Sequence, residues 1–294
     1  MDYSKLPTEM QNPKTRELDK LPVEKILRLM DEEDQSVPRA VRKTNPQIAQ
    51  AVRLVVASIK KGGRIFFVGA GTSGRLGVLE AAECPPTFNT PPSLIQALMA
   101  GGRAAVFHSQ EGAEDRAREA CQRIRKLVRA KDVVIGISAS GVTPFVQEAL
   151  IEAKRRGAKT ILIACNLHSP LRSRVDVVIA PRVGPEIIAG STRLKAATAT
   201  KLILNRLTVT SMVQRGKVYQ NFMVDLQPRS QKLKARAKRI LRELTGLSNK
   251  KASLLLRKAG GVKAAILMAK KNLSHPEALR RLQKADGSLR KALR

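Results

Sequence analysis

The chain has no tryptophan, two tyrosines, six phenylalanines and only three cysteines among its 294 residues, and it carries 24 acidic against 55 basic side chains. With aromatics at 3% and hydrophobic residues at 43%, a globular core has to be built from Leu, Ile, Val and Ala. Cys84, Cys121 and Cys165 are odd in number and lack paired spacing, which excludes a disulfide framework or a CxxC metal site and points to reduced thiols. His108, His168 and His275 also lack ligand spacing, so no metal is expected. No apolar run reaches the roughly 18 residues that a membrane span requires, and MDYSKLPTEM has no signal-peptide core. Together these predict a cytoplasmic protein with no membrane partner.

The surplus of +31 is uneven: residues 1–50 are neutral, 51–228 carry +14 and 229–294 carry +17. The basic C-terminal stretch has no nucleic-acid motif and no aromatics for base stacking, so it is read as a solvated helical face. Nucleic acid is not the expected partner. A basic surface also attracts anionic small molecules.

Apolar runs alternate with helical patterns along the middle of the chain. Ile65–Val68, Leu94–Met99, Val133–Ile137, Thr160–Cys165 and Val175–Ala180 read as strands, and Arg75–Ala82, Glu114–Arg129 and Pro144–Arg156 as crossover helices. Helical patterns are also expected over Val23–Met30 and from Pro38 to about Lys61, where Gly62 and Gly63 stop the second. The expected fold class is α/β: a three-layer sandwich with a mostly parallel sheet, followed by a small helical domain. The expected divisions are a helical arm over 1–50, a central domain over 51–228 and a basic helical domain over 229–294.

The most informative stretch is RIFFVGAGTSGRLGVLEAAECPPT, Arg64 to Thr87. A strand enters a loop with Gly69, Gly71 and Gly74 and then becomes a helix. The glycines let backbone come close, the helix start offers unpaired amides, and Thr72 and Ser73 add hydroxyls, which together make an anion cradle. A second cradle, Ser138-Ala-Ser140-Gly-Val-Thr143, follows Val133–Ile137, with Pro144 at a first helical position. GAGTSG formally matches G-x-G-x-x-G, but the next strand ends in Met99-Ala-Gly-Gly without the acid a dinucleotide ribose needs. Glu83, near Pro85 and Pro86 where the helix is expected to end, adds a carboxyl group. The combination points to acid/base chemistry on a phosphorylated small molecule.

GAGTSGRLGVLEAAECPPTF, AGGRAAVFHSQEGAEDR, IGISASGVTPF and GSTRLKAATATKLILN, with TEMQNPKTRELD and NFMVD, resemble the N-acetylmuramic acid 6-phosphate etherases of the sugar isomerase (SIS) domain family. The resemblance covers nearly the whole chain, and its C-terminal part is similar to a small UBA-like domain. It implies a SIS domain with flavodoxin-like or Rossmann-like topology, and a lyase that removes D-lactate from C3 of N-acetylmuramic acid 6-phosphate, adds water and leaves N-acetylglucosamine 6-phosphate, as in cell-wall amino-sugar recycling. It further implies a homodimer with sites near the subunit interface and no cofactor. Carried over by resemblance, Glu83 is the acid for the lactate oxygen and Glu114 the base at C2. Thr72, Ser73, Ser138, Ser140 and Thr143 are the candidate phosphate contacts. Glu186, Ser191, Arg193 and Lys195 lie in a segment that lines the family's site, although either cation could equally serve the surface alone. Two alternatives remain open: a sugar-phosphate-binding regulator resembling glucokinase regulatory protein, and a sugar-phosphate isomerase. Two departures from the family pattern are the basic tail and Ser230, where an Asn is usual.

Overall fold

A computed structural model describes residue 4, residues 6–226 and residues 230–294. The described residues form two compact units, 1–82 with 92–208, and 83–91 with 209–294. The expected boundary between 228 and 229 lies outside the described residues.

In the first unit, five strands form one parallel sheet in the order β2-β1-β3-β4-β5, namely β1 Ile65–Gly69, β2 Ile95–Met99, β3 Val133–Ile137, β4 Lys159–Ile163 and β5 Val177–Ile179. Their near-continuous apolar sequences are what a sheet covered on both faces demands. Phe66, Val68, Val134 and Leu162 point into a core with α5 (Ala117–Leu127) and α6 (Pro144–Arg155). On the opposite face lies α3 (Gly71–Phe88), where a Cβ on Gly77 would meet Phe67 at 2.9 Å. Helix α2 (Asn45–Lys60) packs against β3 and β5. These helices and the sheet make three layers. The turn Ala104–Phe107 (α4) lies between β2 and α5.

Three helix boundaries differ from the sequence expectation. Helix α1 runs unbroken over Val23–Arg42, with Pro38 inside it. Pro38 and Asp34 are both exposed, so water can serve the Asp34 carbonyl that the missing N–H leaves free. The break comes instead at Thr44, whose hydroxyl donates to the Val41 carbonyl at 2.7 Å. Helix α3 passes through Pro85 and Pro86 and stops only at Asn89, which adopts φ +51°. The expected helix over Glu114–Arg129 is a 3-10 turn, Ala113–Asp115, entered through left-handed Gly112 and separated from α5 by the non-helical Arg116.

The second unit is helical, with α7 (Lys195–Gln214) leading into it and a two-strand hairpin, β6 Val218–Tyr219 and β7 Phe222–Met223. Helices α8 (Gln231–Thr245), α9 (Asn249–Ala259), α10 (Val262–Lys271), α11 (His275–Lys284) and α12 (Leu289–Ala292) enclose Ile240, Leu241, Ile266 and Leu267. The hydroxyls of Ser230, Ser248 and Ser288 accept N–H groups at the starts of α8, α9 and α12. Ser230 therefore does what an Asn could do at the same position. No helix among the described residues is long and apolar enough to cross a membrane.

Candidate functional site

The two anion loops begin side by side because β1 and β3 are neighbours in register, with Gly69 opposite Ile137. This is where the strand order reverses: the connection after β1 leads outward to β2, while β3, β4 and β5 extend the other way. Crevices at such a switch point, outside the carboxyl ends of the strands, are where α/β sheets take ligands.

Each loop is shaped by its glycines. A Cβ on Gly74 would stand 2.7 Å from the Gly69 carbonyl oxygen, so the start of α3 can approach the end of β1 only without a side chain there. Gly71 adopts φ +52°. Thr72 and Ser73 follow in the first turn, half-buried. In the second loop, the buried Ser138 hydroxyl accepts the Gly141 N–H at 3.0 Å and is hydrogen-bonded to the Thr143 hydroxyl at 2.8 Å. The Ser140 hydroxyl lies 3.4 Å from that of Ser138. Asn166 donates to the Ser140 carbonyl at 2.9 Å and the Ser169 hydroxyl to the Gly141 carbonyl at 2.6 Å, bracing the loop from behind. The structure thus brings Ser138, Ser140 and Thr143 together beside the loop that carries Thr72 and Ser73.

A cavity of about 190 Å³ joins the first loop to the segment around Glu114; it is lined by Ala70, Gly71, Arg75, Gln110, Glu111 and Glu114, among others. Arg75 is held by a bond from its Nε to the Val106 carbonyl, 2.9 Å long. Burial pushes the Glu114 carboxyl above its ordinary value, and the charges of Asp115, Glu111 and Glu9 push it the same way. Glu114 sits in a 3-10 turn ahead of α5 rather than on it. Glu83 lies exposed on α3, among the residues assigned to the second unit.

The segment Glu186–Lys195 is anchored rather than loose. The Glu186 carboxylate accepts the backbone N–H groups of Lys195 and Ala196, both at 2.9 Å, and so caps α7. Burial raises its carboxyl, with the two N–H bonds and Lys195 acting in opposition. Lys195 is buried, and its ammonium is paired with Glu33. Burial opposes ionisation of Glu33, yet bonds from Lys195 and Lys14 hold its carboxyl below the usual range. Arg193 is exposed and Ser191 half-buried. The surface-only reading of Lys195 is therefore excluded, whereas Arg193 does reach the surface. Both cations border a second cavity of about 160 Å³ with Glu33, Asp34 and Thr198. Burial, with Glu186 nearby, pushes the Cys165 thiol up to about 12, so it stays protonated.

The sequence reading missed Glu9, Glu33, Arg75 and Glu111. Glu111 was visible in QEGAEDR, next to a residue already singled out. Glu9 lies within TEMQNPKTRELD, but nothing in that motif marks it for the site, and Glu33 has no local signal, because only folding brings 8–15 and α1 to the loop after β5.

The family model described as the SIS domain matches residues 114–210, and that of the glucokinase regulatory protein N-terminal SIS domain matches residues 47–154. Among solved structures, a phosphoheptose isomerase from Francisella tularensis superimposes with a TM-score of 0.50 at 21% identity, covering 64% of this chain and 98% of that one. A protein of E. coli CFT073 gives 0.50 at 18%, covering 68% and 97%. These show the fold alone. The N-acetylmuramic acid 6-phosphate etherase of Geobacillus thermodenitrificans is 50% identical over 290 residues, covering 98% of each chain. N-acetylmuramic acid 6-phosphate etherase 2 of Vibrio cholerae is 45% identical over 292 residues, covering 99% of this chain and 95% of its own. Over its whole length, then, the chain belongs to the N-acetylmuramic acid 6-phosphate etherase family.

Proposed function

We propose that this chain is a carbon-oxygen lyase that cleaves the D-lactyl ether of N-acetylmuramic acid 6-phosphate, giving N-acetylglucosamine 6-phosphate and D-lactate. The observation that carries this reading, beside the family, is the cavity that joins the start of α3 to a carboxyl group of raised proton affinity, Glu114. An anion held at one end and a base at the other is the arrangement that proton abstraction from a sugar phosphate needs.

In this proposal the phosphate takes the amides at the start of α3 and the hydroxyls of Thr72, Ser73, Ser138, Ser140 and Thr143. Neutral donors neutralise no charge of their own and leave the reactive carbons free. Ring opening exposes the C1 aldehyde, which acidifies the proton on C2. Glu114 takes that proton, the C3–oxygen bond breaks, and Glu83 gives a proton to the departing lactate oxygen. Water then adds at C3 of the conjugated double bond, and the C2 carbon is reprotonated. A base that must hold the abstracted proton benefits from the environment that raises Glu114. Glu186, Ser191 and Lys195 complete the assignment as the wall beside the substrate, with Glu186 and Lys195 shaping it from behind. A homodimer in the cytoplasm belongs to the same reading, and a mass measurement in solution tests the dimer.

The glucokinase regulatory protein match over residues 47–154 favours a second reading, in which the chain binds a sugar phosphate without cleaving it. One experiment separates the two. Purified protein given N-acetylmuramic acid 6-phosphate is expected to release lactate, and Glu83→Ala to abolish release while sugar-phosphate binding persists. Binding by the unaltered protein with no lactate would overturn the lyase reading.

A further inference from the structure

The cavity at the start of α3 has one cation in its lining, Arg75, and two carboxylates, Glu111 and Glu114. Gly71 and Arg75 reach it together because they stand four residues apart on α3 and so share a face of that helix. Thr72 and Ser73, between them in sequence, do not line it. The guanidinium and these two hydroxyls therefore belong to different faces of the same helix start.

Arg75 is half-buried, and its Nε donates to the Val106 carbonyl at 2.9 Å. Val106 belongs to the short turn α4, so this bond fixes the guanidinium without neutralising it. A guanidinium donates from Nη1 and Nη2 as well as from Nε, and these two groups have no partner among the described residues. Nor does an ion pair join Arg75 to Glu111 or Glu114, although both line the same cavity. Two cations of the following segment are engaged elsewhere: Arg116 and Arg123 both reach Glu119, at 3.9 Å and 2.9 Å. Arg75 thus keeps its charge and an open edge beside the cavity.

The edge formed by Nη1 and Nη2 matches the two oxygens of a carboxylate or a phosphate. The substrate of the proposed reaction carries both groups. Its phosphate is on C6, whereas its carboxylate belongs to the lactyl group, whose ether oxygen is on C3, next to the carbon that loses its proton. Arg75 shares its cavity with Glu114, the group assigned to C2, and not with the Thr72 and Ser73 hydroxyls assigned to the phosphate. This placement favours the carboxylate.

We propose that Arg75 is the specificity-determining residue for the lactyl group: held by the Val106 carbonyl, it takes the lactyl carboxylate on Nη1 and Nη2. This rests on the lyase reading and on Glu114 as the base at C2. Holding the carboxylate fixes the C3–oxygen bond relative to the C2–hydrogen bond, an alignment that elimination requires. It also separates the substrate from sugar phosphates with a bare hydroxyl at C3.

Calorimetric titration of the full chain carrying Glu83→Ala, which halts turnover in the proposed mechanism, tests the assignment with two ligands. One is N-acetylmuramic acid 6-phosphate, and the other is N-acetylglucosamine 6-phosphate, the same sugar without the lactyl group. Adding Arg75→Gln is expected to raise Kd for the first roughly 10- to 100-fold, the scale of a charge-assisted pair of hydrogen bonds, and to leave the second within about twofold. Arg75→Lys, which keeps the charge but loses the fork, should fall between. Equal weakening of both ligands would assign Arg75 to the phosphate or to the fold, and weakening of neither would leave the carboxylate to another group; each outcome overturns the proposal. If Arg75→Gln does not fold, the ligand is altered instead, by converting the lactyl carboxylate to its amide. The Glu83→Ala chain should bind the amide roughly 10- to 100-fold more weakly than the acid, with a smaller ratio once Arg75→Lys is added, and equal binding overturns the proposal. Discrimination against the amide by unaltered protein that releases no lactate would keep Arg75 as the carboxylate site and remove the lyase reading.

Discussion

The Glu186 carboxylate takes the backbone N–H of Lys195 at 2.9 Å, while the ammonium of the same lysine is paired with Glu33. One residue thus fastens the loop after β5 to α7 at its backbone and α7 to α1 at its side chain. Glu186 and Lys195, both in GPEIIAGSTRLK, are structural braces. Ser191 and Arg193 lie between them on the accessible side.

Glu186→Ala leaves the first two amides of α7 without acceptors in a buried setting. We expect a loss of about 2 kcal/mol in unfolding free energy, read by urea denaturation. A change below a few tenths would show that water replaces the carboxylate and that the cap is not structural.

Glu33→Gln leaves the buried Lys195 ammonium without its counter-ion and should cost about 3 kcal/mol, more than Lys195→Met, which removes the buried charge itself. The pH dependence has a definite sign. Because the Glu33 carboxyl is held below its unfolded value of 4.5, its contribution is complete above that pH and is lost as pH falls through the lower folded value. Denaturation of the unaltered protein and Glu33→Gln from neutral pH downward should therefore show their stabilities converging in acid. A gap that widens toward acid contradicts the pairing.

Gly74→Ala and Gly71→Ala separate close approach from backbone conformation. At Gly74 the new methyl would press on the Gly69 carbonyl at 2.7 Å and on Met99 Cγ at 3.0 Å, while at Gly71 nothing lies within 4 Å and only φ +52° is unfavourable. The expected costs are about 2–3 kcal/mol and about 1 kcal/mol respectively, with sugar-phosphate binding weakened more by the first. Calorimetric titration with the sugar phosphate and thermal melting check the order.

Ser138→Ala removes the hydroxyl that accepts the Gly141 N–H and joins Thr143. KM for the sugar phosphate should rise roughly tenfold, with kcat less affected, because the loss falls on anion holding rather than on the proton transfers. An unchanged KM would remove the second loop from the phosphate site.

Much of this was legible without coordinates. The five strands appear within two residues of their expected ends, since buried parallel strands need continuous apolar runs that solvent-exposed segments do not have. The helix ends were less legible. Pro38 read as the start of a second helix and Pro85 and Pro86 as the end of one, yet α1 and α3 run through all three. Glu114 lines the cavity beside the first anion loop, but the sequence reading put it at a helix start, because Gly112 and Arg116, which isolate its turn, carry no periodicity signal.

The amino-acid order alone determined the layered α/β class, the two hydroxyl-bearing cradles and the family, because each depends on local spacing: apolar runs for strands, glycines for close turns, and motifs read residue by residue. Only the tertiary structure decided that the cradles are neighbours, that Glu33 neutralises Lys195, and that the N-terminal segment is hydrogen-bonded to the loop after β5. Those relations depend on strand order and on contacts between residues far apart in the chain, as between Thr8 and Gly190. Coulomb forces and close packing act through space, and the distances that govern them exist only after the chain has folded.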